Sequence, residues 1–243
     1  MTVLMGLDAR LRLARLYLCT DAREEQGDLS DFLQAAFAGG VDIVQIRQKN
    51  MSPEAELEAL EIARSAAGHR GIVCVNDSPK LARDFSADML HLGQTDGKAR
   101  RARKDLHEWA LIGRSTHAPE ETDEAISDLQ VDYFCVGPVY ATATKPDDEP
   151  VGLDLVRYAA EVAPVFALES KPWFAIGGID MDDLDDVIEA GARRVCVVRA
   201  ITQAADPEAA ARQLRNRLQE AWRADPATER YSIQAAAGVG STR

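Results

Sequence analysis

Short apolar runs recur along the chain, separated by longer segments of mixed and charged residues. The runs cover 16–19, 41–46, 72–75, 88–92, 109–112, 133–136, 173–176 and 195–198. Runs of this length read as buried strands, and their nearly continuous apolar character fits strands covered on both faces of a parallel sheet. Helical segments fall between them. Ser30-Asp31 opens one that stops at Gly39-Gly40, and Ser52 caps the next, with Pro53 at its first position. Further helices are expected over 79–85, 98–108, 119–129, 153–161, 181–189 and 207–222. Regular alternation of eight strand–helix units predicts a single-domain (β/α)8 barrel of the TIM type. A doubly wound open sheet is the alternative, because alternation alone does not establish closure.

Composition narrows the setting. The chain has 243 residues, enough for one barrel, which is expected to occupy 1–223. Residues 224–243 are rich in small and polar side chains and are expected to form a poorly ordered tail. A formal net charge of −12 argues against broad binding to nucleic acid or to an anionic membrane. A transmembrane helix is not expected, since no long uncharged apolar run occurs. A signal peptide is not expected either, since no basic segment precedes such a run. The four cysteines, Cys19, Cys74, Cys135 and Cys196, all lie in strand-like runs and form no C-x-x-C pair. A zinc site is therefore unsupported, and reduced, buried thiols in a cytoplasmic protein are expected.

In such a barrel the chemistry gathers at the C-terminal strand ends. Reading those ends in turn gives a polar set suited to phosphate ligands. Gln45, Arg47 and Lys49 follow the second strand on alternate positions, so an extended chain would turn them to one side. An arginine fork beside a lysine point charge suits a diphosphate. Asn76-Asp77 follows the third strand and Asp96 the fourth. Those two aspartates are either loop caps or a pair sharing one hard cation, most simply Mg2+. Ser115 and His117 follow the fifth strand. Ser115 offers a hydroxyl to a phosphate oxygen, whereas His117 reads equally as a helix-capping neighbour. Thr142, Thr144 and Lys145 lie in the long segment after the sixth strand, where two hydroxyls and a cation form a plausible anion grip. Gly177-Gly178 follows the seventh strand and Val198-Arg199 the eighth, where barrels often hold phosphate on backbone N–H groups.

Taken together, the segments Gln45-Ile46-Arg47-Gln48-Lys49, Val75-Asn76-Asp77, His91-Leu92-Gly93-Gln94-Thr95-Asp96, Gly137 to Lys145 and Ala175-Ile176-Gly177-Gly178-Ile179 resemble the thiamine phosphate synthase family over residues 16 to 201. The resemblance implies a (β/α)8 barrel that joins a hydroxymethylpyrimidine diphosphate to a thiazole phosphate, releasing thiamine phosphate and pyrophosphate. It implies that Gln45, Ile46, Arg47, Gln48, Lys49 and Asn76 bind the pyrimidine diphosphate, together with Ser115 and Lys145. Arg47, Lys49, Ser115 and Lys145 would serve catalysis. Asp77 and Asp96 would hold Mg2+. Thr142, Ala143 and Thr144 would face the thiazole phosphate, and Gly178, Val198 and Arg199 would enclose it. Some members similar to this pattern carry a small hydroxyl residue where Arg199 stands, so a side-chain hydroxyl contact is lost here. The partners implied are small molecules, and a homo-oligomer is left open. Two other classes compete with this reading: a thiazole tautomerase, which needs no metal, and a non-catalytic phosphate-ligand binder. Asp77 and Asp96, with Arg47 and Lys49, argue against the first, and the full diphosphate-facing set argues against the second.

Overall fold

A computed structural model describes residues 5–142 and 149–238. Eight parallel strands close into a barrel in sequence order, β1 pairing with β8. They are β1 (Leu16–Thr20), β2 (Ile43–Ile46), β3 (Ile72–Asn76), β4 (Met89–Leu92), β5 (Leu111–Thr116), β6 (Tyr133–Val136), β7 (Trp173–Ile176) and β8 (Val195–Val197). Helix α1 (Leu7–Leu13) precedes the first strand. The crossovers carry α2 (Leu29–Ala38), α3 (Pro53–Ala67), α4 (Pro79–Phe85), α5 (Ala99–Ala102), α6 (Pro119–Ser127), α7 (Gly152–Val162) and α8 (Leu184–Glu189). After β8 come α9 (Arg199–Thr202), α10 (Pro207–Ala224) and α11 (Thr228–Ala236). The closed circuit removes the open-sheet alternative.

The apolar strands feed two cores. Leu16, Leu18, Val44, Ile46, Val73 and Val75 face outward and pack beneath the helices. Tyr17, Ile43, Ile72, Met89, Tyr133 and Phe174 face inward and fill the barrel. Alternation along each strand thus serves both layers. Three helices start by one device, a capping side chain followed by proline. Ser52 Oγ accepts from Ala55 N at 3.2 Å, Ser78 Oγ from Leu81 N at 3.2 Å, and Asp206 Oδ1 from Ala209 N at 2.9 Å.

Several expected boundaries move. Helix α2 begins at Leu29 behind Asp28, ahead of the Ser30-Asp31 start. The helix expected over 98–108 is α only at Ala99–Ala102. Beyond it Arg103 folds back, donating to Asp132 Oδ2 at 2.7 Å and to the Ala110 and Gln130 carbonyls. Strand β5 starts later and runs further than 109–112. Trp109 is exposed, while the polar stretch Gly113–Thr116 continues the ladder by pairing with β6. An apolar-run criterion stops at Ile112 because the ligand-facing end of the strand is polar.

The segment after 224, expected to be poorly ordered, carries α11. Tyr231 and Ala235 are buried there against Trp222, Phe166 and Leu168. The Tyr231 hydroxyl meets Arg194 Nη2 at 3.0 Å, and the fully buried Arg194 guanidinium also reaches the Arg12 carbonyl at 2.8 Å. Aromatic edge-to-face packing among Phe166, Trp222 and Tyr231 fixes the helix. Small-residue composition concealed two anchors, because one tyrosine and one alanine suffice when a buried arginine supplies the partner.

Candidate active site

A cavity of about 1090 Å³ opens at the C-terminal ends of the strands. Its wall takes Gln45 and Arg47 from β2 and its exit, Asn76 and Asp77 from β3, and His91 and Gly93–Asp96 from β4. Ser115 and His117 come from β5, Thr142 from the segment after β6, and Gly177, Gly178, Val198, Arg199 and Gln203 from the last two strand exits. Cys19, Cys135 and Cys196 line its base, so the site grades into the packed barrel interior.

Asp77 sits in a tight turn. Its φ is +60°, and Ser78 N donates to Asn76 O across it at 2.7 Å, the pattern of a γ-turn with a left-handed central residue. Asp77 N donates to His91 O at 2.9 Å, which fastens the turn to β4. Left-handed backbone at a non-glycine residue is strained, and such strain gathers at functional sites. Asn76 Nδ2 donates to Asp77 Oδ2 at 2.6 Å. Asp96 Oδ2 accepts from Gly93 N at 2.7 Å, closing its own loop. Burial and the facing Asp96 carboxyl push Asp77 up to about 6, against the opposing pull of Asn76 and Arg47.

The loop that carries Asp96 is strapped to β5. Gln94 Nε2 donates to Ser115 O at 2.6 Å, and Arg114 Nη1 donates to Gly97 O at 2.7 Å. Inside the barrel mouth, Gln45 Nε2 donates to Tyr17 Oη at 2.8 Å, and Gln45 Oε1 accepts from Cys19 Sγ at 3.4 Å. Gln45 is thereby fixed although nearly buried. His117 closes onto the Glu121 carboxylate of α6, through its backbone N at 2.7 Å and Nδ1 at 3.0 Å, while it lines the cavity.

On the opposite wall, Gly177 and Gly178 both have positive φ, +104° and +70°. A Cβ at Gly177 would stand 2.5 Å from Pro138 Cα, and one at Gly178 would stand 2.7 Å from Tyr140 Cβ. Only glycine fits either place, and the backbone there lies open to a ligand. Beside them, after the neighbouring strand β8, the first turn of α9 presents N–H groups that the helix itself leaves unbonded.

The sequence-based set divides on this geometry. Gln45, Arg47, Asn76, Asp77, Asp96, Ser115, Thr142, Gly178, Val198 and Arg199 meet at one cavity. Ile46 is fully buried in the outer core, outside that lining. Gln48 turns away, accepting from Ala22 N at 3.0 Å and donating to Glu24 at 2.6 Å. Lys49 lies in an exposed turn, because the strand ends at Ile46 and the extended alternation ends with it. Ala143, Thr144 and Lys145 lie outside the described residues. The cavity also contains His91, Gln94, Thr95 and Gln203, which were not singled out. His91 had a signal: a polar residue at an inward position of an otherwise apolar strand.

A profile of the thiamine monophosphate synthase family matches residues 16–201, from the first residue of β1 through α9. The chain belongs to this family. The thiamine-phosphate synthase of Thermobifida fusca (strain YX) is 54% identical over 213 residues, covering 87% of this chain and 95% of that protein. The thiamine-phosphate synthase of Streptomyces avermitilis is 53% identical, covering 87% and 97%. A solved thiamine phosphate pyrophosphorylase from Pyrococcus furiosus superposes with a TM-score of 0.74 at 28% identity, covering 87% of this chain and 98% of that one. The chain is thus a transferase of the thiamine-phosphate synthase type. Among the described residues, no helix is long and apolar enough to cross a membrane.

Proposed function

We propose that the cavity joins a hydroxymethylpyrimidine diphosphate to a thiazole phosphate, giving thiamine phosphate and pyrophosphate with the help of Mg2+. The observation that carries this reading is the Asp77–Asp96 pair at the rim, with Arg47 and Asn76 beside it and the Gly178–Arg199 wall opposite. Two carboxyl groups crowded enough to raise one of them form a hard oxygen donor set that fits Mg2+. Among the described residues, no group of three or more His, Cys, Asp or Glu could hold a metal alone. Mg2+ typically needs only one or two protein carboxylates, keeping waters and taking other ligands from substrate phosphates.

Asp77 and Asp96 would hold Mg2+, which when bound supplies charge neutralisation on the diphosphate. Arg47 directs its guanidinium at the same leaving group, and Ser115 contacts the pyrimidine half. The Gly178 N–H, the first turn of α9 and Arg199 receive the thiazole phosphate, with Thr142 beside them. The methylene C–O bond breaks with its electron pair going to the diphosphate. The thiazole nitrogen then donates its lone pair to the methylene carbon and forms the new C–N bond. This substitution depends on positioning and electrostatics, which is what the rim offers. By resemblance, Lys145 adds positive charge near the diphosphate. A cytoplasmic setting belongs to the same proposal, since all four cysteines are free and buried.

The test is a two-substrate assay of purified protein with Mg2+, with and without a chelator. Pyrophosphate and thiamine phosphate form together, and the chelator stops both. Absence of product from verified substrates would sink the proposal.

A further inference from the structure

Three neighbouring strands place His91, Gly113 and Tyr133 in one row, His91 opposite Gly113 and Gly113 opposite Tyr133. Gly113 has no side chain, and the Tyr133 ring lies over it, where a Cβ would overlap the ring. The Tyr133 hydroxyl therefore reaches across β5 to His91 Nδ1, at 3.0 Å. The other ring nitrogen, His91 Nε2, stands 2.9 Å from Ser115 Oγ at the cavity wall. A polar relay thus runs from inside the barrel to a side chain at the site.

The proton sense along the relay follows from its inner end. Burial holds the Tyr133 hydroxyl far above its ordinary pKa, so it keeps its hydrogen. Its partners are His91 Nδ1 at 3.0 Å, Cys74 Sγ at 3.7 Å and the Tyr17 hydroxyl, which acts on it as a donor and pulls its pKa down. An imidazole nitrogen at the shorter distance is the better acceptor than sulfur at the longer one. Nδ1 then accepts, the neutral ring carries its hydrogen on Nε2, and Nε2–H donates to Ser115 Oγ. The Ser115 hydrogen is left to point into the cavity.

We propose that His91 is a positioning residue: locked in its Nε2–H form by Tyr133, it fixes Ser115 as a hydrogen-bond donor toward an acceptor atom of the ligand. The effect on turnover rests on the function proposed above, whereas the proton position stands on the ligand-free protein.

Two measurements test it. The first is ¹⁵N NMR of histidine-labelled protein, with His91 assigned by the loss of its signals in His91→Gln. The expected pattern is an unprotonated Nδ1 and a protonated Nε2, with mixed forms appearing in Tyr133→Phe. A hydrogen on Nδ1 overturns the proposal. The second is a double-mutant cycle on kcat. His91→Ala lowers kcat about 10- to 100-fold with KM within about threefold, the scale of one lost oriented hydrogen bond. His91→Gln, which offers an N–H near Nε2, recovers most of that loss. In a Ser115→Ala background, His91→Ala costs no more than about twofold, because the group it acts through is gone. An equal cost in both backgrounds means that His91 does not act through Ser115, and the proposal falls. If His91→Ala fails to fold, Tyr133→Phe runs the same cycle. If the wild-type protein forms no product, the functional reading fails, and NMR alone decides the proton position.

Discussion

The Tyr133 ring occupies the space that a side chain at Gly113 would need. The two residues pair across β5 and β6, so the overlap is built into the register. Gly113→Ala forces the ring, the strand or both to shift. Overpacking of this kind typically costs about 1–3 kcal/mol. A urea melt of the variant should show a lower midpoint at unchanged slope. Product formation should fall with it, since the Tyr133–His91 contact depends on the same placement.

Asp77→Ala and Asp96→Ala each remove half of the proposed cation clamp. Either variant should lose about 100-fold or more in activity, the order expected when a metal that stabilises several kcal/mol of developing charge is weakened. Raising Mg2+ should restore part of the rate. Titrating activity against Mg2+ checks this, and an unchanged midpoint in Asp77→Ala would remove that residue from the clamp.

Tyr231→Phe deletes one hydroxyl from the buried Arg194 contact. A buried charged donor that loses a partner costs about 1–3 kcal/mol. Thermal unfolding should move down accordingly, while the rate at low temperature stays unchanged because Tyr231 lies far from the strand exits. Removing residues 225–243 should lower the melting point further and shift Trp222 fluorescence toward that of a hydrated indole.

The cysteines should be inert while the protein is folded. Burial pushes the Cys74 thiol up to about 11 and moves Cys135 and Cys196 in the same direction. A thiol-specific reagent at pH 8 should find no fast-reacting group in native protein and four in denaturant. The pH dependence has a definite sign. A raised thiol pKa means that the unfolded chain loses its proton first, so stability falls as pH rises from about 9 toward 11. Rapid modification of native protein at pH 8 would contradict this.

Much of the barrel was legible because each strand had to bury both faces, so its run stayed apolar and its length was readable. Ser52-Pro53, Pro79 and Pro207 marked helix starts through capping chemistry that acts locally. Where a strand end turned polar to serve the site, as at Gly113–Thr116, the same criterion stopped early. Gln45, Asp77 and Asp96 could be placed at the rim because a strand end fixes direction. Lys49 could not be placed, since its orientation depends on a turn beyond the last ladder bond. The role of Tyr231 was hidden for a different reason. Its partner Arg194 is 37 positions away, and nothing local announces that a buried guanidinium needs a hydroxyl.

Leu11 of α1 and Ala14 just after it lie among the inward side chains Tyr17, Ile43 and Ile72, and α11 packs against α1. Among the described residues, the end of the barrel opposite the cavity is therefore covered. On the proposed function, two substrates would enter and two products would leave through the mouth framed by Arg47, Asp96, Gly178 and Arg199. On that reading the ligand seated deeper would leave only after its companion had cleared the entrance.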